Sequence, residues 1–116
     1  MDDLKDRHCK AMSKGASALD TAAVSALLVR LNGDWQCSDD ATFIRRDFKF
    51  KNFYHTMAFV NAVAWIANRE DHHPDLNVSY SSCSVNFTTH SANGLTENDF
   101  ICAAKIDALV NEPANL

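Results

Sequence analysis

The chain has 116 residues, with 11 basic and 15 acidic side chains, and its formal net charge is −4. A chain of this length forms one domain that buries roughly two-thirds of its unfolded surface, which excludes a second domain. Charges are scattered without a lysine or arginine run, which argues against direct binding to nucleic acid. The longest apolar stretch, residues 57–67, is too short to span a bilayer, and the N-terminus lacks the apolar core of a signal peptide. We therefore expect a cytoplasmic protein with no membrane partner.

The four cysteines predict neither a zinc site nor a disulfide framework. Cys9, Cys37, Cys83 and Cys102 stand far apart, and no C-x-x-C pair occurs. We expect reduced thiols that are mostly buried, since free cysteine packs as a small apolar residue.

The first half of the chain predicts an arm, a helix and two strands. Residues 1–17 show no sustained period and are expected to form a loosely ordered N-terminal arm, with residues 18–116 as the domain. Apolar residues at helical spacing predict a first helix over 18–31, ended by Asn32-Gly33. Strands are expected at 35–37 and 42–51. Because Arg46 breaks the alternation of the second strand, it is expected near an edge or bulge.

The second half predicts a helix, a hairpin and a last helix. The second helix is expected over 52–68, with a core face that carries Phe59, Val63, Ile66, Val60, Ala64, Phe53 and Met57. Tyr54 and Trp65 lie on its other side, where they mark either a partner surface or a covered helix end. Strands at 77–80 and 84–89 predict a hairpin with its turn near Ser81-Ser82.

The last helix is expected from Thr96 to about Asn111, before Pro113. Thr96 and Asp99 have the spacing of a capping box, in which the acid three residues on bonds the first backbone N–H groups of the helix. On a helical wheel Asp99 lies at the edge of the core stripe, so its carboxylate is expected to point toward the interior.

This order of elements predicts an α+β domain, with a single four-stranded antiparallel sheet and three helices packed on one face. Four short strands leave backbone donors and acceptors unpaired at the sheet edges. Pairing between subunits satisfies such edges, so we expect a homodimer or a dimer of dimers.

Three of the five histidines form the chemical centre of the sequence. His72 and His73 are adjacent, and Pro74 holds His73 in an extended conformation. His90 follows sixteen positions after Pro74, at the end of a polar strand face. An unperturbed histidine has a pKa of about 6.5, so imidazoles exchange protons near neutral pH. The pattern predicts an enzyme that transfers protons. A metal site is the weaker alternative, because adjacent histidines chelate one ion poorly and no carboxylate stands at a usual ligand spacing.

Several segments in a fixed order resemble the pterin-4a-carbinolamine dehydratase family over about residues 19–110. They are Trp35, Phe48-Lys49-Phe50-Lys51-Asn52-Phe53, Asp71-His72-His73-Pro74, Asn77-Val78-Ser79-Tyr80, Thr88-Thr89-His90 and Gly94-Leu95-Thr96-Glu97-Asn98-Asp99. A lone His-His-Pro segment is a weak signal, and the joint order makes the match specific.

The resemblance implies the dehydration of 4a-hydroxytetrahydrobiopterin to quinonoid dihydrobiopterin, a step that restores the pterin used by aromatic amino acid hydroxylases. It implies no metal and no redox cofactor. It also implies that His72 and His90 are the catalytic acid and base, and that His73 mainly holds the substrate. Pro74 is implied to shape the pocket wall, and Trp35 and Asp99 are implied at or beside the pocket. The helical wheel places Asp99 there independently, and a semi-buried carboxylate near a histidine would hold one tautomer or raise the pKa of that histidine.

Two further points stay open at the level of sequence. Mammalian members carry a glutamate four residues before the first histidine of the pair, and this chain has Asn68 there. Some family members also serve as dimerization cofactors of a homeodomain transcription factor, and a role in molybdopterin metabolism has been proposed for others. An interaction protein is therefore the alternative class, although intact histidines favour an enzyme.

Overall fold

The structure, a computed structural model, describes residues 3–110. After a 3-10 helix at Leu4–Asp6, the elements in chain order are α1 (Thr21–Leu28), β1 (Gln36–Cys37), β2 (Ile44–Lys49), α2 (Phe53–Glu70), β3 (Asp75–Val78), β4 (Ser82–Phe87), a 3-10 turn at His90–Ala92, and α3 (Glu97–Val110). This confirms the predicted α+β class with three helices and one four-stranded antiparallel sheet. The predicted end of the last helix, at Asn111 before Pro113, lies outside the described residues.

The sheet has the strand order β1-β2-β4-β3, and all of its pairings are antiparallel. Burial alternates along β4, where Cys83, Val85 and Phe87 face the core, as the period-two pattern predicts. Both hairpin strands begin two residues earlier than predicted. The turn between them spans residues 79–81 and closes with a 2.9 Å hydrogen bond from the Ser79 N–H to the Ser82 carbonyl.

Side-chain caps fix where the first two helices begin. The Asp20 carboxylate accepts from the Ala23 N–H, and the Asn52 amide oxygen accepts from the His55 N–H. α1 is shorter than the predicted range at both ends. α2 runs two residues beyond its predicted end, to Glu70, and stops because Asp71 takes the left-handed conformation with φ 52°.

The buried face of α2 is narrower than predicted. Thr56, Phe59, Val63, Ile66 and Ala67 are buried, whereas Phe53 and Ala64, predicted on the core face, are exposed. Phe53 lies in the first turn of the helix and stacks on Tyr80, at a centroid distance of 6.3 Å. Tyr54 and Trp65 are exposed.

The N-terminal segment packs on α3. Leu4 is buried in the main core, and residues 98–103 of α3 are all buried, because α3 is covered by the domain core on one side and by the segment on the other. The sequence did not predict this packing, because the apolar residues of the segment do not recur at a regular spacing.

Arg46 lies in the middle of a regular β2, and no bulge occurs there. Strand β1 pairs only with Ile44 and Arg45 of β2, so Arg46 lies at a sheet edge, as expected. Its side chain nevertheless points to the core face and is 11% exposed. Its guanidinium stacks on Phe48 and forms a 2.6 Å ion pair with Asp107 of α3. Asp107 also accepts from the Trp35 indole N–H at 2.8 Å. This nearly buried carboxylate joins α3 to the sheet.

We expect Asp107→Ala to lower the free energy of unfolding by about 3 kcal/mol. The substitution leaves the Trp35 indole N–H without its acceptor, and it leaves the Arg46 guanidinium only the longer, 3.7 Å ion pair with the exposed Asp34. Urea denaturation measures the change. The matched control is Asp47→Ala, which removes an exposed ion pair with Arg45 and is expected to cost less than about 1 kcal/mol. Equal losses in the two variants would contradict the role assigned to Asp107.

Candidate active site

Three of the five histidines line one groove of about 530 Å³. Its lining comes from four separate segments: residues 70–73 at the end of α2, residues 88–91 after β4, Asn98 in the first turn of α3, and residues 9–12 of the N-terminal segment. The adjacent His72 and His73 therefore line the same groove as His90, which is distant from them in sequence.

The end of α2 sets the direction of His72. After the left-handed Asp71, the His72 N–H still reaches back to the Ala67 carbonyl at 3.1 Å, which turns the chain sharply out of the helix. The imidazole then lies parallel to the buried Phe87 ring, with 5.8 Å between centroids and 7° between planes. Stacking on a core residue restricts the ring to one orientation.

A hydrogen bond to Asp99 also fixes the His72 ring. Its carboxylate is fully buried, and Oδ1 lies 2.6 Å from His72 Nε2. An acceptor at this distance assigns the ring proton to Nε2. Nδ1 makes no hydrogen bond within residues 3–110, so it is the nitrogen left to exchange a proton, as a base when His72 is neutral and as an acid when it is protonated.

The second oxygen of Asp99 is held just as firmly. Oδ2 accepts from the Thr89 hydroxyl at 2.7 Å and from the Thr96 N–H at 2.9 Å. Since the Thr89 hydroxyl donates its only proton to Asp99, the Thr96 hydroxyl must be the donor in the 2.8 Å contact between the two threonines. Asp99 therefore caps α3 and holds His72 at the same time, so the predicted interior position and the predicted capping contact are both present.

His73 and His90 are held less tightly than His72. His73 Nε2 donates to the Asn68 amide oxygen at 3.0 Å, and both side chains are exposed. An amide at this position orients the ring without the negative charge that a glutamate would bring. His90 is exposed at the start of the 3-10 turn, and its ring makes no hydrogen bond within residues 3–110.

Three of the residues expected at or beside the pocket, Trp35, Pro74 and Asp99, do not line the groove. Asp99 is fully buried and bonds His72 and Thr89, which do line it. Trp35 is buried in the core, where it donates to Asp107 and contacts Phe87, and it approaches His72 only through that phenylalanine ring. Pro74 is half-buried and connects His73 to β3. It sets the course of the backbone and is not part of the groove wall.

The sequence reasoning missed three contributors to the site. Thr89 was noted only as part of a motif, yet its hydroxyl lies between Asp99 and Thr96; its parity with Phe87 was the available signal for an inward side chain. Asn68 was noted only as a departure from relatives. The N-terminal segment gave no signal, because single contacts with distant residues hold it at the groove and no periodic pattern marks them.

Glu70 accepts a 2.7 Å hydrogen bond from the Cys9 N–H of this segment. Burial by itself would raise the pKa of Glu70, but the Cys9 N–H, the His8 ring and the Lys105 ammonium together hold that pKa below its ordinary value. The glutamate therefore remains an anion that accepts hydrogen bonds at neutral pH.

Among residues 3–110, no group of three or more His, Cys, Asp or Glu side chains is placed to hold a metal ion. In the same part of the chain, no helix has the length and apolar character needed to cross a membrane.

Comparison with known proteins agrees with this geometry. The sequence model of the family described as pterin 4 alpha carbinolamine dehydratase matches residues 17–109, and the chain belongs to this family. A Legionella pneumophila protein provisionally named pterin-4-alpha-carbinolamine dehydratase is 56% identical over 93% of this chain and 96% of its own length. A Nitrosomonas eutropha protein with the same provisional name is 53% identical over 93% and 94% of the two chains.

A crystal structure supports the same relationship at the level of the fold. The chain is similar to a transcriptional coactivator/pterin dehydratase from Brucella melitensis, with a TM-score of 0.75 and 35% identity. The match covers 80% of this chain and 98% of the Brucella chain.

Proposed function

We propose that the protein is a hydro-lyase that converts 4a-hydroxytetrahydrobiopterin to quinonoid dihydrobiopterin and water by histidine acid/base catalysis. The observation that carries the proposal is the His72–Asp99 pair, with one ring nitrogen bound to a buried carboxylate and the other left for a ligand in a groove that also holds His73 and His90. Family membership supports the pterin substrate. The physiological role that follows is recycling of the pterin cofactor of aromatic amino acid hydroxylases in the cytoplasm.

The reaction needs one proton donor and one proton acceptor. The hydroxyl on carbon 4a leaves as water after it receives a proton, while the adjoining ring nitrogen loses its proton and its electron pair forms the new C=N bond. Two imidazoles in opposite protonation states suit this elimination, since each contributes most when its pKa is near the working pH. No electrons are exchanged with a cofactor.

His72 and His90 fill these two roles in the proposal, and their surroundings differ. His72 has a fixed ring and a fixed tautomer, so it presents Nδ1 to the substrate in one direction. His90 is exposed and has no protein partner in the described residues, so it can exchange protons with solvent between turnovers. His73, oriented by neutral Asn68, is assigned to substrate binding.

An interaction role is the second candidate. The Brucella relative is described as a transcriptional coactivator as well as a pterin dehydratase. In this chain such a role would use the exposed aromatic face of α2, which carries Tyr54 and Trp65 outside the histidine groove.

The direct test is an assay with freshly made 4a-hydroxytetrahydropterin. We expect the purified protein to accelerate its dehydration, and the rate to be unchanged after exhaustive chelation, because the groove offers acid and base groups rather than a ligand set. Activity that disappears on chelation and returns with zinc or iron would overturn the mechanism. No acceleration by a folded protein would favour the interaction role.

Substitution of single histidines separates their roles. We expect His72→Ala and His90→Ala each to lower kcat by about two to four powers of ten, the usual contribution of a positioned acid or base. His73→Ala should mainly raise KM. His55→Ala, on the flank of α2, is the matched control and should leave both constants unchanged. The assignment fails if His73→Ala lowers kcat as much as the other two and leaves KM intact.

We also propose that the protein assembles as a homodimer or a dimer of dimers. The outer edge of β3 and the residues of β2 beyond β1 have no strand partner among the described residues, and Tyr54 and Trp65 are 80% and 62% exposed. Sedimentation over a dilution series should show at least two chains per particle at micromolar concentration. A mass of one chain throughout that range would contradict the proposal.

A further inference from the structure

The N-terminal segment contributes four consecutive residues to the histidine groove, Cys9, Lys10, Ala11 and Met12. The family model begins its match at residue 17, so this part of the groove lies outside the region matched to the family. The structure shows what holds residues 9–12 at the groove.

Two buried side chains clamp the backbone of this segment. Glu70 Oε1 accepts from the Cys9 N–H at 2.7 Å. Asn98 bonds both polar groups of the Lys10 backbone, because its Oδ1 accepts from the N–H at 3.0 Å and its Nδ2 donates to the carbonyl at 2.7 Å. The side chain of Glu70 and the residue Asn98 are each only 4% exposed.

The clamp is distinct from the contacts that anchor the rest of the segment. Leu4 is buried in the core, Arg7 pairs with Glu97 at 2.8 Å, and Lys105 donates to the Lys5 carbonyl. These contacts lie outside the groove and already attach the segment to α3. The additional pairing of Glu70 and Asn98 with residues 9 and 10 fixes the part that faces the histidines.

Packing of the two thiols adds to the same attachment. Cys9 Sγ lies 3.5 Å from Cys102 Sγ and 3.6 Å from the Asn98 carbonyl. The hydrogen bond with Cys9, together with burial, raises the pKa of the Cys102 thiol well above its usual range. Cys102 therefore stays protonated and packs as a neutral group.

We propose that residues 9–12 form a fixed wall of the pterin groove, and that Asn98 and Glu70 are the positioning residues that hold this wall against the substrate. This inference rests on the proposed function and adds a determinant of substrate affinity. Asn98 precedes Asp99 and Glu70 lies two residues before His72, so the same two helix ends place both the wall and the catalytic pair. Residues 9–12 affect substrate binding, whereas His72 and Asp99 serve proton transfer.

The first experiment places a bulky side chain on the wall. Ala11 is exposed and lines the groove, so Ala11→Trp narrows the groove without disturbing the core. Ser13→Trp, two residues further along, is exposed and does not line the groove, and it is the matched control. We expect Ala11→Trp to raise KM at least roughly fivefold while kcat changes by less than about twofold, and Ser13→Trp to leave both unchanged.

The second experiment releases the wall. Asn98→Ala removes both bonds to Lys10 and is expected to raise KM roughly tenfold with little change in kcat. Glu97→Gln removes the neighbouring ion pair to Arg7, outside the groove, and should change neither constant. The dissociation constant of 7,8-dihydrobiopterin, from quenching of its fluorescence, is measured for every variant and should follow KM.

The outcomes separate the wall from the reaction. If Ala11→Trp leaves KM and Kd unchanged, residues 9–12 are not a wall of the substrate groove. This conclusion holds even if Asn98→Ala binds the pterin more weakly, because Asn98 would then act through Asp99. If Ala11→Trp raises KM and Kd but Asn98→Ala does not, Asn98 is not a positioning residue of the wall. A wild-type protein that binds the dihydropterin without dehydrating the carbinolamine refutes the proposed function, and the wall is then decided by the Kd values alone. A wild-type protein that neither binds nor converts a pterin overturns both.

Discussion

The structure of the site depends on one buried carboxylate. Asp99 has no exposed surface, and a carboxylate in that position is stable only when its oxygens are hydrogen-bonded. Three donors supply this requirement: His72 Nε2, the Thr89 hydroxyl and the Thr96 N–H. These donors come from the end of α2, the segment after β4 and the start of α3. The need to satisfy one acid therefore joins three of the four segments that line the groove.

This constraint also explains why the three histidines differ. His72 satisfies Asp99 and is thereby oriented, whereas His73 meets only a neutral amide and His90 meets no protein group in the described residues. A fixed imidazole suits a step that demands one direction of proton transfer. An exposed imidazole suits exchange with solvent. The different surroundings of these two imidazoles agree with the separate roles that the proposal gives them in the elimination of water.

Much of this arrangement could be predicted from sequence, because local patterns specify it. The 3.6-residue period located the helices, the alternation in β4 placed Val85 and Phe87 inward, and the spacing of Thr96 and Asp99 predicted the cap that the structure contains. The fold class followed from the order of the elements. Helix and strand ends were wrong by up to three residues, since they depend on single contacts such as the left-handed Asp71.

What sequence could not predict were the contacts between distant segments. Phe53 was wrongly assigned to the core, because it lies in the first turn of α2 and stacks on the exposed Tyr80. The bond from His73 to Asn68, the position of Thr89 between two helix-cap groups, and the packing of residues 3–12 on α3 all require the tertiary structure. Trp35 was expected at or beside the pocket through family resemblance, and in this chain it packs within the core against Phe87 and bonds Asp107.

The most direct measurement of the central claim is the tautomer of His72 by long-range ¹H–¹⁵N correlation NMR of the imidazole rings. With Asp99 as a hydrogen-bond acceptor, the neutral ring should carry its proton on Nε2, and Nδ1 should be the nitrogen whose shift changes on titration and on binding of a dihydropterin. The Asp99→Asn variant should lose this single tautomer. A wild-type His72 protonated on Nδ1 when neutral, or one that shows no preference, would contradict the account.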